Sequence, residues 1–451
     1  LILAKYLSDA ELKAQTQEQP GGLVFAWYMP SLAAYGTNPT GYLTDIQQAQ
    51  SYGIDGFVVD MFFWNTLWKG YLADLFTAVA GTNFKLFVAV DWNNGVGGDY
   101  VGLGALLTLY AGSPNYFHYN GRPMVGGYAD AIDPVTGNAA NTWWAAMLAD
   151  GAAFNPYFVP AFNLTGFSAD QPPTTYSDYK RNINGGWLKT TLNGIMGFGG
   201  FMPQLQLQDV AASAPIMQSN GAIMFASVSS WWSQIRFIWN ATAGSFHEFH
   251  GGEGLSTIWQ DIINHIKPPF VALITWNDYT ETYMGGASQS DLTTLATAQG
   301  WPIDDLFGHA GMTQLNSYFI KWYKAGIQPT PVIDEMFVFY RLAPMSVIAT
   351  HPLATLPIAW NPQNNDPTLD DIYVTTICIA PATLRVINNG VTTDTAVAAG
   401  LVHTRVPFTA GAVEVLLIRG GSTLLDRVGT PILGALSYYY NTNPITYYDH
   451  T

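Results

Sequence analysis

The chain is 451 residues long and 49% apolar, enough for more than one hydrophobic core, which excludes an intrinsically disordered polymer. Its 17 basic and 32 acidic residues leave a net charge of −15, which repels phosphate backbones and argues against nucleic acid as a partner. One cysteine, Cys378, excludes an intramolecular disulfide, a thiolate zinc site and an iron–sulfur cluster; its apolar surroundings predict a buried strand residue.

In chain order, Tyr6 to Gln17 reads as a lead-in helix. Short apolar runs then recur between longer stretches: Leu23–Trp27, Gly56–Asp60, Lys85–Asp91, Pro123–Gly127, Tyr157–Phe162, Gly194–Phe198, Ala222–Ser227 and Phe270–Trp276. Helical patterns fall between several of them, at Thr44–Tyr52, Tyr71–Val79 and Thr142–Leu148. Eight strands alternating with helices predict an α/β fold, a (β/α)8 TIM-type barrel. Several strands run into polar or aromatic residues at their C-terminal ends, where a parallel barrel assembles its active site: Trp27-Tyr28, Asp60, Asp91-Trp92, Asn163, Trp231-Trp232 and Trp276-Asn277-Asp278. The stretch 168–200 reads as a long decorated loop. The stretch 240–254 contains His247, Glu248, His250 and Glu253, but without the i, i+4 histidine spacing of a helical zinc site, so no metal is expected. From about Asp334 the texture becomes β-rich, with runs at Phe337–Leu342, Asp371–Ala380, Thr383–Val386, Ala412–Ile418 and Leu424–Val428 divided by Gly and Asn turns. That spacing predicts a C-terminal antiparallel β-sandwich, dividing the chain into a catalytic barrel over 1–335 and an accessory sandwich over 336–451.

Only 11% of residues are charged, against roughly 25% in ordinary soluble proteins, so the surface is built from uncharged polar groups. A neutral polysaccharide meets no charge penalty there, and 15 Trp and 25 Tyr offer flat faces suited to sugar rings, although many of these rings belong to the core. No apolar run approaches the roughly 18 residues of a membrane span, and no obligate protein partner is indicated. The opening Leu1 and the sequons at Asn163 and Asn240 fit a processed, secreted or cell-wall protein, an expectation that rests mainly on composition.

The sharpest local signal is Phe270-Val-Ala-Leu-Ile-Thr-Trp-Asn-Asp-Tyr-Thr-Glu281, an apolar strand that runs directly into two carboxylates three residues apart. Glycosidic cleavage needs one carboxylic acid to protonate the leaving oxygen and a second carboxylate as base or nucleophile. Read from the residues alone, the pair serves equally as a helix cap, Asp278, and its box partner, Glu281.

The chain resembles fungal α-1,3-glucanases (mutanases), glycoside hydrolase family 71. Trp276-Asn-Asp-Tyr-Thr-Glu281 is similar to that family's Trp-Asn-Asp-Tyr-Gly-Glu signature, and Asp45-Ile-Gln-Gln-Ala-Gln-Ser-Tyr-Gly-Ile-Asp-Gly-Phe57 to its second strand and preceding helix. Phe84–Asp91, Tyr119–Met124, Phe158–Phe162, Tyr318–Gly326 and Phe339–Arg341 resemble further stretches in the same order. The resemblance implies a barrel-plus-sandwich fold, no cofactor, and endo-type hydrolysis of α-1,3-glucan with inversion. It implies that the catalytic carboxylates match Asp278 and Glu281, assigned here as base and acid respectively. The departures are Thr280 for Gly, Thr282-Tyr283 for Ser-His-Tyr, Trp27 for a His, and Ser229-Ser230-Trp231 for Ser-Pro-Trp; they bear on linkage specificity more than on enzyme class.

Around that pair, Asp60 and Asp91 are candidates to orient sugar hydroxyls, each equally readable as a loop-bonding Asp. Trp27, Tyr28, Trp92, Trp231 and Trp276 are candidates for stacking on sugar, with Asn277 and Tyr279 as further substrate-binding positions. The expected function is hydrolysis of α-1,3-glucan or a related α-glucan. The alternatives are a non-catalytic carbohydrate-binding protein on the same fold and a barrel glycosidase of other linkage.

Overall fold

The computed structural model describes residues 22–91, 102–129, 145–162, 193–197, 222–234, 244–247, 250–279, 281–301, 306–344, 346–347, 349–351, 358–360, 370–438 and 444–451. They fall into two compact units. One takes the described residues through 199, those of Gln204–Val228 and Gln260–Asp278; the other takes those of Ser229–Trp259 and Tyr279–Thr451.

The first unit is mixed α/β around a parallel sheet. Its strands are β1 (Leu23–Tyr28), β2 (Gly56–Met61), β3 (Lys85–Asp91), β4 (Arg122–Ala129), β5 (Tyr157–Phe162), β6 (Gly194–Gly197), β7 (Ile223–Ser229) and β8 (Phe270–Ile274). The order is β3-β2-β1-β8-β7-β6-β5-β4, and β3 pairs in addition with β4, in parallel, from Val88↔Val125 to Asp91↔Tyr128. All eight correspond to the apolar runs of the sequence, which are legible because most of these strands are buried on both faces. The last is shorter than expected, so Trp276 lies beyond its end.

One face of this sheet carries Phe25, Phe87, Phe225 and Phe270. The rings of Phe87 on β3 and Phe225 on β7 are 5.9 Å apart. Those strands stand four places apart in the sheet order, about 19 Å in a flat sheet at about 4.8 Å per strand, so the sheet is strongly curled around this face. Helices cover the other face. Helix α1 (Pro39–Ser51) begins five residues before the periodicity predicts, because Asn38 accepts from the Thr40 and Gly41 amides and Pro39 occupies the first turn. Gly41 is needed there, since a Cβ would stand 2.1 Å from the Gly36 carbonyl oxygen. Helix α2 (Thr66–Val79), capped by Asn65, turns Trp68, Leu72, Leu75, Phe76 and Val79 inward at three- and four-residue spacing. Helix α3 (Leu103–Tyr110) follows β3.

Among the described residues the second unit holds three helices, most of α4 (Gly252–Asp261), then α5 (Gln289–Gln299) and α6 (Ala310–Ala325), and a set of mainly antiparallel sheets. Its sandwich strands are β9 (Glu335–Arg341), β10 (Asp371–Cys378), β11 (Ala382–Asn388), β12 (Val391–Val397), β13 (Gly400–Pro407), β14 (Gly411–Arg419), β15 (Ser422–Ile432) and β16 (Pro444–His450). They form two four-stranded sheets, β13-β10-β9-β16 and β12-β11-β14-β15. Alternate residues Met336, Val338, Ile372 and Val374 of one pack with Leu384, Val386, Val413 and Val415 of the other. Cys378 is fully buried in this core, as its apolar run predicts. No helix among the described residues is long and apolar enough to cross a membrane.

Candidate active site

Strand periodicity and register decide which side chains at the C-terminal edge of the parallel sheet share a face. Trp27 is registered with Val58, two residues before Asp60; Asp60 is registered with Ala89, two before Asp91; and Asp91 is registered with Tyr128. Trp27, Asp60, Asp91 and Tyr128 therefore lie on the Phe25 face, one turn of the pleat nearer the strand ends. Asp60 and Asp91 are each 3% exposed. The Trp27 and Tyr128 rings meet edge to face at 6.3 Å although they stand on β1 and β4. Tyr128 was not singled out from the sequence; its signal is its position directly after Gly126-Gly127 at the end of a candidate strand.

Tyr28, one residue on from Trp27, points to the opposite face. Its ring stacks on Phe57 at 4.3 Å and its hydroxyl donates to Asp45 Oδ2 at 2.8 Å. The Trp276 indole reaches the same carboxylate, Nε1 donating to Asp45 Oδ1 at 2.9 Å, and packs against Phe57. Both rings are almost fully buried and their faces are taken by protein. Asp45 sits on the buried stripe of α1 with Tyr42, Ile46 and Ala49. Burial pushes its carboxyl from 3.8 up to about 6, against the pull of the two hydrogen bonds from Trp276 and Tyr28.

The segment after β8 is tied down at every residue. The peptide Ile274–Thr275 is cis. The Trp276 amide donates to the Trp27 carbonyl at 2.7 Å. The Asn277 side chain accepts from the Met29 amide at 2.7 Å and donates to the Met29 carbonyl at 2.9 Å, so both ends of its amide are used by the backbone just beyond β1. The Asp278 amide donates to Thr275 Oγ1 at 2.8 Å, and the Asp278 side chain stands 8% exposed. No helix starts here among the described residues: the next one, α5, begins at Gln289 with its own capping box of Ser288 and Asp291. The reading of Asp278 and Glu281 as a helix cap and its partner is therefore corrected.

Glu281, half-buried, belongs to the second unit with Tyr279 and Trp231. The residues that follow it are held firmly. Thr282 Oγ1 donates to the Trp231 carbonyl at 2.7 Å, and His309 donates from Nδ1 to the Tyr283 carbonyl at 2.8 Å. The His309 ring stacks on Tyr283 at 4.1 Å, and Trp231 and Tyr279 approach Tyr283 edge-on at 5.6 and 4.8 Å. Trp231 and Tyr279 are thus members of a buried aromatic cluster. Of the four residues weighed for metal, His250 and Glu253 are engaged by Arg405 at 3.2 and 2.8 Å, and Glu248 lies outside the described residues. Trp92, Asn163, Asn240 and the side chain of His247 lie outside the described residues, as do the lead-in helix and most of the loop at 168–200.

Carboxylates and aromatic rings at the C-terminal edge of a curled parallel α/β sheet suit hydrolysis of a glycosidic bond, and the family to which the chain is matched makes it a glycoside hydrolase. The chain belongs to glycosyl hydrolase family 71, whose family model matches residues 21–449. It is 26% identical over 441 residues to a mutanase of Penicillium rubens, covering 96% of this chain and 90% of that one. It is 25% identical over 412 residues to a glucan endo-1,3-alpha-glucosidase of Schizosaccharomyces pombe, covering 89% of each. It is also 26% identical over 449 residues to an ascus wall endo-1,3-alpha-glucanase of the same yeast, covering 95% of this chain and 97% of that one.

Proposed function

We propose that this glycoside hydrolase cleaves α-1,3-glucan by an inverting reaction of two carboxylates, Asp278 and Glu281. The observation that carries the reading is the acid pair itself. Asp278 leaves a buried parallel strand in a clamped, non-helical segment with Glu281 three residues on, within a chain matched over most of its length by relatives named for α-1,3-glucan cleavage. Glu281 protonates the glycosidic oxygen as the bond to the anomeric carbon breaks, while Asp278 takes a proton from the water that attacks the opposite side. Trp27, Asp60, Asp91 and Tyr128, on one face of the sheet, line the sugar path, with Trp92 beside them in sequence. Tyr28, Trp276 and Asn277 act by bracing it, and Trp231 and Tyr279 support the segment around Glu281.

The eight parallel strands close as a (β/α)8 barrel in this reading, supported by the β3–β4 pairing and the packing of Phe87 on Phe225. Residues 1–335 form the catalytic part and 336–451 the accessory sandwich. A polysaccharide partner and a secreted or cell-wall setting follow from the relatives' names and the low charge. Reducing-sugar release from a panel of α-1,3-, α-1,4- and β-1,3-glucan and α-mannan tests the reading. Release from α-1,3-glucan above the others is expected; preference for another polymer overturns the linkage, and release from none overturns hydrolysis.

A further inference from the structure

Asp45 is a buried carboxylate to which the reaction as proposed gives no part. It is 1% exposed, it lies on a helix, and it accepts from two side chains that come from segments far apart in the chain, Tyr28 at the end of β1 and Trp276 just after β8. Burying a carboxylate in an apolar layer costs stability. Its presence calls for something that the ionisable fork supplies, namely two acceptor oxygens held at a fixed angle between two donors.

We propose that Asp45 is a positioning residue of the hydrolytic site: by holding the Trp276 indole beside the Tyr28 hydroxyl, it fixes the direction in which the segment 276–278 delivers Asp278. The inference rests on the hydrolytic reading of Asp278. Three ties act on consecutive positions of that segment. Asp45 takes the Trp276 side chain, the Trp27 carbonyl takes its amide, and Met29 takes the Asn277 side chain. All the backbone anchors belong to β1 or to the residue just beyond it, and Tyr28, between them, is itself bonded to Asp45. The carboxylate thus joins α1, β1 and the segment carrying Asp278 into one piece. Burial pushes its carboxyl up to about 6 even with both donors in place, in keeping with a group retained for placement and at a cost to the fold.

The test compares Asp45→Ala, Asp45→Asn and Trp276→Phe with wild type in steady-state kinetics on soluble α-1,3-oligosaccharides, together with hydrogen exchange of the peptide spanning 275–279. Asp45→Ala is expected to lower kcat by about 10²-fold with KM within about threefold, as for a misplaced reacting group, and to speed exchange in that peptide. Asp45→Asn, which keeps a side-chain oxygen for Trp276 and an amide for Tyr28, is expected to recover kcat to within about tenfold of wild type. If Asp45→Ala fails to fold, Trp276→Phe, which keeps a ring and removes the N–H, decides by the same two readouts. An unchanged kcat with unchanged exchange overturns the inference, as does an Asp45→Asn enzyme no better than the alanine variant. A wild-type chain inactive on every α-glucan overturns the hydrolytic reading instead, and the exchange data still test the clamp.

Discussion

Asn277 offers a sharp separation between a residue that touches sugar and one that holds the site together. Its amide, fully buried, exchanges two hydrogen bonds with the backbone of Met29, itself 4% exposed. Asn277→Ala leaves the Met29 amide without that partner in a closed environment, while the Met29 carbonyl keeps the Leu32 amide as a donor at 3.0 Å. The orphaned amide costs about 1 to 3 kcal/mol and the bond lost at the carbonyl about 1 kcal/mol, so the variant should lose about 2 to 4 kcal/mol. Asn277→Asp keeps the acceptor for the Met29 amide but sets a carboxylate against the Met29 carbonyl, and should lose a similar amount. Thermal melts read the loss as a drop of several degrees for either variant. Kinetics on the folded fraction should show a lowered kcat with KM little changed, because the defect is in placement. A melting temperature equal to wild type, with KM raised tenfold, would refute the reasoning and restore Asn277 to the sugar-binding role its position in the sequence suggests.

Asp45 makes stability depend on pH with a defined sign. Its carboxyl is raised in the folded state, so its contribution is fully present below the unfolded value of 3.8 and is lost as pH rises through about 6. The loss at neutral pH is about 3 kcal/mol, and Asp45→Asn, which cannot ionise, should escape it. The melting-temperature difference between variant and wild type should therefore shift in favour of the variant between about pH 4 and pH 7 and level off above that; a difference independent of pH would contradict this. Inversion predicts that an α-linked substrate releases β-anomeric sugar first, visible by proton NMR before mutarotation. First release of the α-anomer, or a trapped glycosyl–enzyme ester, would contradict inversion and leave hydrolysis standing.

The parallel strands were legible because burial on both faces writes them as short continuous apolar runs. The accessory strands were legible where at least one face is buried, as in Asp371–Cys378 and Gly411–Arg419. Val391–Val397, with the sequence Val-Thr-Thr-Asp-Thr-Ala-Val, is mostly exposed and has no apolar alternation, and it was missed together with Gly400–Pro407 and Pro444–His450. At the site, residue types at strand ends pointed to the right edge of the sheet. They could not separate Trp27 from its neighbour Tyr28, because register with β2 and β8, and not composition, decides which face each takes. The tie from Asn277 to Met29 spans 248 positions and that from Trp276 to Asp45 spans 231, so no local pattern carries either. Asp45 did leave one trace. A carboxylate at the second position of the stripe Tyr42, Asp45, Ile46, Ala49 stands on the face a helix normally keeps apolar.

The most direct test of the account is turnover of α-1,3-glucan by Asp278→Asn and Glu281→Gln beside the wild-type chain. Each substitution removes an ionisable carboxyl with almost no change of shape. If Asp278 and Glu281 are the base and the acid, both variants should fold with wild-type melting behaviour and lose about 10² to 10⁴ in kcat. Near-normal turnover by either variant would contradict the account.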